Sequence, residues 1–262
     1  MKIVTINILN DLSHWKERSP LLIEGLSNLN PDIIALQEVN IPEKIAHWLA
    51  EMLEFEHVYL SPKMHLEKKL EALAILSRFP FKKTETYDLQ AQGRVAQRVV
   101  IQPEDLPVIL VNVHLYWQPG ESPARNRQVD LLLDWLATYN QKMFCIVCGD
   151  FNGTPETTAI HNMRQNYTSA YNAVHGKEPD YTCPTPLPRS WRVKLRTMLG
   201  FFFLLRPQHA RPKWRGTLDY IFVNRDVRIL DCQVVLNNPD RSNPRIYPSD
   251  HFGLQANVEF PS

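Results

Sequence analysis

Residues 145–152 read CIVCGDFN: a short apolar run that stops on Gly149, Asp150 and Asn152. A carboxylate just after a strand usually caps a turn or the next helix. Here the pattern repeats along the chain. Ile33–Leu36 runs into Gln37 and Glu38, and Val108–Val113 runs into His114. Asn7 lies in the first apolar run, and Asp250 and His251 stand immediately before Phe252–Leu254. Asp219 is the sharpest case, because Leu218 precedes it and Tyr220, Ile221 and Phe222 follow. Burying an unpaired carboxylate there is costly, so Asp219 needs a metal, a cationic histidine or strong hydrogen-bond donors.

Outward from these residues, apolar runs of strand length cover Lys2–Leu9, Asp32–Glu38, Ala72–Ser77, Val95–Ile101, Val108–His114, Phe144–Gly149, Leu218–Val223 and Phe252–Phe260. They are rich in Val and Ile and partly alternating, as strands are. Four helical patterns lie between them. Ser19-Pro20 is read as the start of Leu21–Leu29, and Pro42 as the start of a helix carrying Ile45, Leu49 and Met52. Ser122-Pro123 precedes Arg125–Tyr139, with Val129, Leu132, Leu133 and Leu136 on one face, and Thr154-Pro155 begins the fourth. Strands outnumber helices without alternating with them, which favours a layered α/β fold with mixed sheets over a doubly wound parallel sheet. No repeat or linker divides the chain, so residues 1–262 are expected to form a single domain.

The composition is globular, with 29 Lys+Arg against 28 Asp+Glu in 262 residues, so a core can form without disulfide or metal staples. Four cysteines are too few for a disulfide scaffold. Cys145 and Cys148, three apart in a strand, face opposite ways and make a poor zinc pair. No signal-peptide pattern and no 18-residue apolar stretch is present, from which a cytoplasmic location is expected. The formal charge of +1 excludes attraction of the whole molecule to polyanions. The charge is uneven, however: residues 181–218 carry eight Lys/Arg and no Asp/Glu, leaving 1 − 8 = −7 on the rest. Within them, about 183–215 reads as a basic, aromatic insertion with an apolar centre, Met198–Leu205. It either packs, lies on an interface or binds an anion.

Taken together and in order, Asn7, LQEV around Glu38, EALAILSRFP, VNVHL, ARNRQ, GDFN, LDYIF and SDHFG resemble the endonuclease/exonuclease/phosphatase superfamily, the DNase I-like fold. The resemblance covers nearly the whole chain. It implies a four-layer α/β (α+β) sandwich: two mixed, mostly antiparallel sheets face to face, helices outside, and an active site at one end. It also implies a metal-dependent phosphoric-ester hydrolase using Mg²⁺, with Mn²⁺ as a substitute. Glu38 matches the family's principal metal ligand, Asn7 the neighbouring amide and Asp250 a further metal-side carboxylate. Asp150 and Asn152 match the pair that orients the attacking water and holds the phosphate. His251 matches a catalytic histidine and Asp219 the carboxylate that orients it. His114 in VNVHL sets the branch, and Glu71 matches the carboxylate that pairs with this histidine. Arg125 fits a helix start that is either structural or phosphate-facing. Whether Asp150 or His251 removes the water proton stays open.

Two substrate classes follow. The first is nucleic acid, held by the basic segment 189–215 with Trp191 and Trp214. The alternative is a sphingolipid or inositol-type headgroup at an anionic membrane surface, with Met198–Leu205 dipping into the interface. Trp117 is a further candidate for stacking, with rim packing as its plain alternative. An inactive binding module is disfavoured because every motif residue is present. The enzyme is expected to act as a monomer.

Overall fold

The computed structural model describes residues 1–65, 70–118, 120–139, 143–188 and 215–261. Among these, the strands of the first half are β1 (Lys2–Asn7), β2 (Ile33–Asn40), β3 (His57–Pro62), β4 (Glu71–Ser77), β5 (Lys83–Asp88) and β6 (Val95–Ile101). The second half supplies β7 (Val108–His114), β8 (Phe144–Asp150), β9 (Thr168–Ser169), β10 (Asp219–Val223), β11 (Arg228–Val235) and β12 (Gly253–Glu259). The helices are α1 (Trp15–Leu29), α2 (Ile45–Met52), α3 (Pro123–Ala137), α4 (Thr158–Asn166) and α5 (Ala170–His175). One sheet runs β11-β12-β1-β2-β4-β3 and the other β5-β6-β7-β8-β10-β9. Among the described strands, only β1–β2 and β7–β8 pair in parallel; the other pairings are antiparallel.

The inner faces of the two sheets meet through Ile3, Ile33, Leu110, Ile146, Ile221 and Leu254. The outer face of the first sheet takes Leu22 and Leu26 of α1 and Ile45 and Leu49 of α2. That of the second takes Val129 and Leu132 of α3 and Ile160 and Met163 of α4. The result is a four-layer α/β sandwich, as the family resemblance implies. Cys145 joins the helix-covered layer and Cys148 the inter-sheet layer, so the two thiols stand on opposite faces of β8.

Three helix starts differ from the sequence reading. Helix α1 opens at Trp15, behind a left-handed His14 (φ 59°), and Pro20 falls inside it. The cause is tertiary: Arg18, fully buried, donates to the carbonyls of Ile8, Leu9, Asp11, Ser13 and Pro248, which fixes the chain in helical register before Pro20. Pro42 lies in a turn ahead of α2, and Thr154-Pro155 in a turn whose Thr154 carbonyl accepts from the Thr157 N–H. Ser122-Pro123 does cap α3, with Ser122 Oγ accepting from the Arg125 N–H. No helix among the described residues is long and apolar enough to cross a membrane. Most of the basic segment, 189–214, lies outside the described residues. Its two ends are described: the Thr182 and Cys183 N–H groups both donate to the Gly216 carbonyl.

Candidate active site

Strand register carries the polar residues to one end of the sandwich. In parallel β7–β8, His114 lies opposite Asp150, and in antiparallel β8–β10 Asp150 lies opposite Asp219. Asn7 ends β1, and its partner in β2 is Gln37, next to Glu38. The β2–β4 register slips between Leu36 and Val39, and Glu38 takes φ 57°. A bulge of this kind turns a side chain away from the alternation of its strand. It aims Glu38 at Asn7 and not into the core.

Asn7 Nδ2 donates to Glu38 Oε1 and to Asp150 Oδ2, each at 3.1 Å, so one amide ties together carboxylates from both sheets. The Asn10 N–H donates to Glu38 Oε2 at 3.1 Å, and the Asn152 N–H to Asp150 Oδ1 at 2.9 Å. His114 brings Nε2 to 3.4 Å from Asp150 Oδ2 and 4.0 Å from Glu38 Oε1. On the other side of Asp150, His251 Nε2 stands 4.0 Å from Oδ2. His251 Nδ1 lies 2.9 Å from Asp219 Oδ2, a carboxylate that also accepts from Thr182 Oγ at 2.6 Å. The buried Asp219 thus has both a histidine and a hydroxyl as partners.

The electrostatics of the two histidines are opposed. Burial, reinforced by Arg94, Lys63 and His251, holds His114 well below the usual imidazole range. Burial also works against charge on His251, but Cys183, Asp219 and Asp150 outweigh it and hold the ring well above that range. Asp150 is pushed up to about 7 by burial, which the neighbouring His251 offsets only in part, with Asp219 adding repulsion. Glu38 is raised as well, by burial and then by repulsion from Glu71 and Asp250. The site therefore concentrates carboxyl oxygens that are short of positive charge. Hard oxygen donors in excess negative charge suit a divalent ion such as Mg²⁺. Glu38 offers such oxygens, with Asp250 near enough to repel it, whereas Asn7 turns its amide N–H groups to the carboxylates and its Oδ1 accepts from the Leu9 N–H at 3.0 Å, which makes it a positioning group. Among the described residues, Asp150, Asp219 and His251 also form a three-group cluster with ligand atoms within 4.8 Å of one another. In that cluster the Asp219 oxygen already accepts from Thr182 and faces His251, which makes it a hydrogen-bonded chain.

The remaining sequence candidates fall less directly into place. Glu71 Oε1 is 3.7 Å from His114 Nδ1, but it is held by Lys63 Nζ at 2.6 Å and faces Arg94 Nη1 at 3.5 Å. Asn152 donates its side-chain N–H to the Leu115 carbonyl, so that group braces a loop. Asp250 has its carbonyl bonded by the Thr185 N–H and its carboxylate 3.5 Å from Ser249 Oγ. Arg125 is structural: fully buried, it donates to the carbonyls of Tyr116, Gln118 and Gly120.

Several supporting residues are not singled out by the sequence. Thr182 and Arg18 sit in stretches with no strand or helix periodicity to mark them. Beneath the site, Gln37 Nε2 donates to Asn112 Oδ1 (2.7 Å) and Asn112 Nδ2 to the Leu36 carbonyl (2.9 Å), a buried amide link between the sheets. A polar residue inside each of LQE and VNVHL is the available signal for that pair.

Comparison with known proteins agrees with this architecture. The chain is similar to the CCR4-Not complex 3'-5'-exoribonuclease subunit Ccr4 of Kluyveromyces lactis, at 22% identity over 297 residues, covering 94% of this chain and 37% of that protein. It is 24% identical to human Nocturnin (94% and 58% covered) and 24% identical to mouse 2',5'-phosphodiesterase 12 (93% and 46%). The chain thus spans about half the length of these relatives, or less. In fold, it superposes on the human Nocturnin catalytic domain with bound sulfate anion at a TM-score of 0.75, with 24% identity and coverage of 100% and 94%. TDP2 from Caenorhabditis elegans superposes at 0.76, with 18% identity and coverage of 100% and 74%. The model of the Endonuclease/Exonuclease/phosphatase family matches residues 4–251, nearly the whole chain, and with the same residues converging in space, the chain belongs to that family.

Proposed function

We propose that the chain is a metal-dependent phosphodiesterase acting on nucleic acid. The observation that carries this reading is the convergence of Asn7, Glu38 and Asp150 on a point flanked by two histidines, one from each side. Glu38 and Asp250 would hold the divalent ion, which supplies charge neutralisation at the phosphoryl oxygens when bound, and Asn7 positions the Glu38 carboxylate through its amide N–H. The chain's own groups do the rest. Asp150, with Oδ1 fixed by the Asn152 N–H and a carboxyl pushed up to about 7, is matched to taking a proton from water near neutral pH. His251, kept cationic and oriented by Asp219, stabilises the charge that develops on the phosphoryl group. His114, kept neutral, offers Nε2 from the opposite side.

The relatives favour nucleic acid as substrate, since their names state a 3'-5'-exoribonuclease and a 2',5'-phosphodiesterase. The membrane-headgroup alternative rests on Met198–Leu205, which lies outside the described residues, and nothing among the described residues favours it. The test is a Mg²⁺ and Mn²⁺ panel of oligoribonucleotide, single- and double-stranded DNA, bis-p-nitrophenyl phosphate, p-nitrophenyl phosphate and sphingomyelin. Cleavage of an oligonucleotide that is abolished by EDTA and by Glu38→Ala, with the fold retained, is the expected result. Full activity in excess EDTA would overturn the metal reading, and exclusive turnover of sphingomyelin the nucleic-acid reading.

A further inference from the structure

Among the described residues, six large hydrophobic side chains are exposed: Leu12, Met52, Leu70, Trp117, Val174 and Leu230. Scattered singly, such residues need no explanation. Three of these lie close in sequence to residues of the site. Leu12 lies five residues past Asn7, Leu70 directly precedes Glu71, and Trp117 follows His114 by three. Trp117 is the aromatic one of the six, 54% exposed. Three residues of chain place it no more than about 11 Å from His114.

The loop that carries Trp117 is braced at nearly every residue. The Leu115 N–H donates to the Asp150 carbonyl, and the Leu115 carbonyl accepts from the Asn152 side chain. The Tyr116 N–H donates to Gln128 Oε1 at 2.7 Å and the Trp117 N–H to Gln92 Oε1 at 3.3 Å. Arg125 then gathers the carbonyls of Tyr116, Gln118 and Gly120 from within the protein. Burying a guanidinium against neutral carbonyls is costly, and what it yields here is a fixed loop conformation. That conformation keeps the largest side chain type half in water, in the loop that leaves the site at His114, whereas Leu115 before it is fully buried. A flat, preorganised aromatic face at that distance suits a flat ligand attached to the phosphate.

Resting on the phosphodiesterase reading above, we propose that Trp117 is a stacking platform for a nucleobase next to the scissile phosphate, on the His114 side. Base–aromatic stacking is sequence-tolerant, and its loss typically weakens binding by about five- to a hundredfold. The platform should therefore confer a preference for base-bearing over abasic substrate with little discrimination among bases.

The test compares kcat/KM in Mg²⁺ for a short oligonucleotide with kcat/KM for the same oligomers carrying an abasic spacer on either side of the scissile phosphate. Wild type should prefer the base-bearing oligomer by about five- to a hundredfold at one of the two positions. Trp117→Ala should bring that ratio close to one, and Trp117→Phe should restore most of it, with unchanged melting temperatures showing that the fold is intact. A Trp117→Ala protein that keeps the wild-type ratio overturns the platform, as does one that loses rate equally on both oligomers. Failure of wild type to cleave any oligonucleotide while it turns over another phosphate ester overturns the nucleic-acid reading itself, a separate outcome.

Discussion

At the residue scale, the site sets two imidazoles of opposite character against one carboxylate. His114 has Arg94 and Lys63 behind it, whereas His251 has Asp219 behind it and Asp150 ahead. Removing either ring should cost at least about 10²–10⁴-fold in turnover, the usual worth of general acid–base help. The measurement is kcat for His114→Ala and His251→Ala, with circular dichroism as the check on folding; a loss under tenfold would make that histidine structural. Asp150 gives a second prediction, with a definite sign. Its carboxyl holds a proton up to about pH 7 in the folded protein and releases it near the ordinary carboxylate value, about 4, when unfolded. Between those limits the native state binds more protons, so the stability of metal-free protein falls as pH rises from about 4 to 7. Asp150→Asn removes this contribution. In EDTA, the mutant should melt several degrees above wild type at pH 7.5, at roughly 2–4 °C per kcal/mol for a chain of this size, and the gap should close by pH 4. Equal melting curves at pH 7.5 would show that the carboxyl is not strained.

Elements, more than single residues, decide how much of this was readable in advance. The central strands β1, β2, β7, β8 and β10 are buried on both faces, so their sequences are nearly unbroken apolar runs and stand out, while β12 alternates buried Leu254, Ala256 and Val258 with polar residues. The four sheet-edge strands, β3, β5, β9 and β11, were not legible. HVYLSP and KTETYD mix polar and apolar residues because an edge strand is partly in water, and β9 is only two residues long. Helix starts failed where a tertiary contact overrode a local signal, as Arg18 does for α1. The polar residues that converge at this end were legible because they interrupt or flank apolar runs, but the bulge that turns Glu38 was not. It is a register slip, visible only once β4 is paired. Gly149 is the element-scale counterpart that the sequence does mark. Its φ is 134°, and a Cβ there would lie 2.1 Å from the Val113 carbonyl oxygen. Neither backbone can yield without parting β7 from β8 and separating His114 from Asp150. Gly149→Ala should cost more than about 3 kcal/mol, as strain at a special backbone position with overpacking does. A melting temperature within 2–3 °C of wild type, or unimpaired turnover, would contradict this geometry.

At the scale of the whole molecule, the uneven charge meets the site at a defined place. Eight cations in residues 181–218 face a remainder of −7, and a body this acidic repels a polyanionic substrate unless those cations lie where the substrate enters. The ends of the basic segment are fixed there. Thr182 donates to Asp219, and the Thr182 and Cys183 N–H groups donate to Gly216, three residues before Asp219. Arg215, the last cation, lies 4.6 Å over the Tyr181 ring. The segment therefore leaves and re-enters the sandwich beside the His251–Asp219 pair, although residues 189–214 themselves lie outside the described structure. Cations tethered at that point raise the local concentration of a polyanion, an effect that salt screens over about 8–10 Å at physiological ionic strength. Neutralising Arg192, Lys194 and Arg196 together should raise KM for an oligonucleotide and flatten its dependence on ionic strength. It should do so far more than for a small phosphodiester, whose single charge gains little from a distant field. The measurement is KM across 25–400 mM salt, roughly the range over which the Debye length halves more than once. Parallel salt curves for wild type and the triple variant would place the oligonucleotide's electrostatic contacts on the described face of the molecule instead.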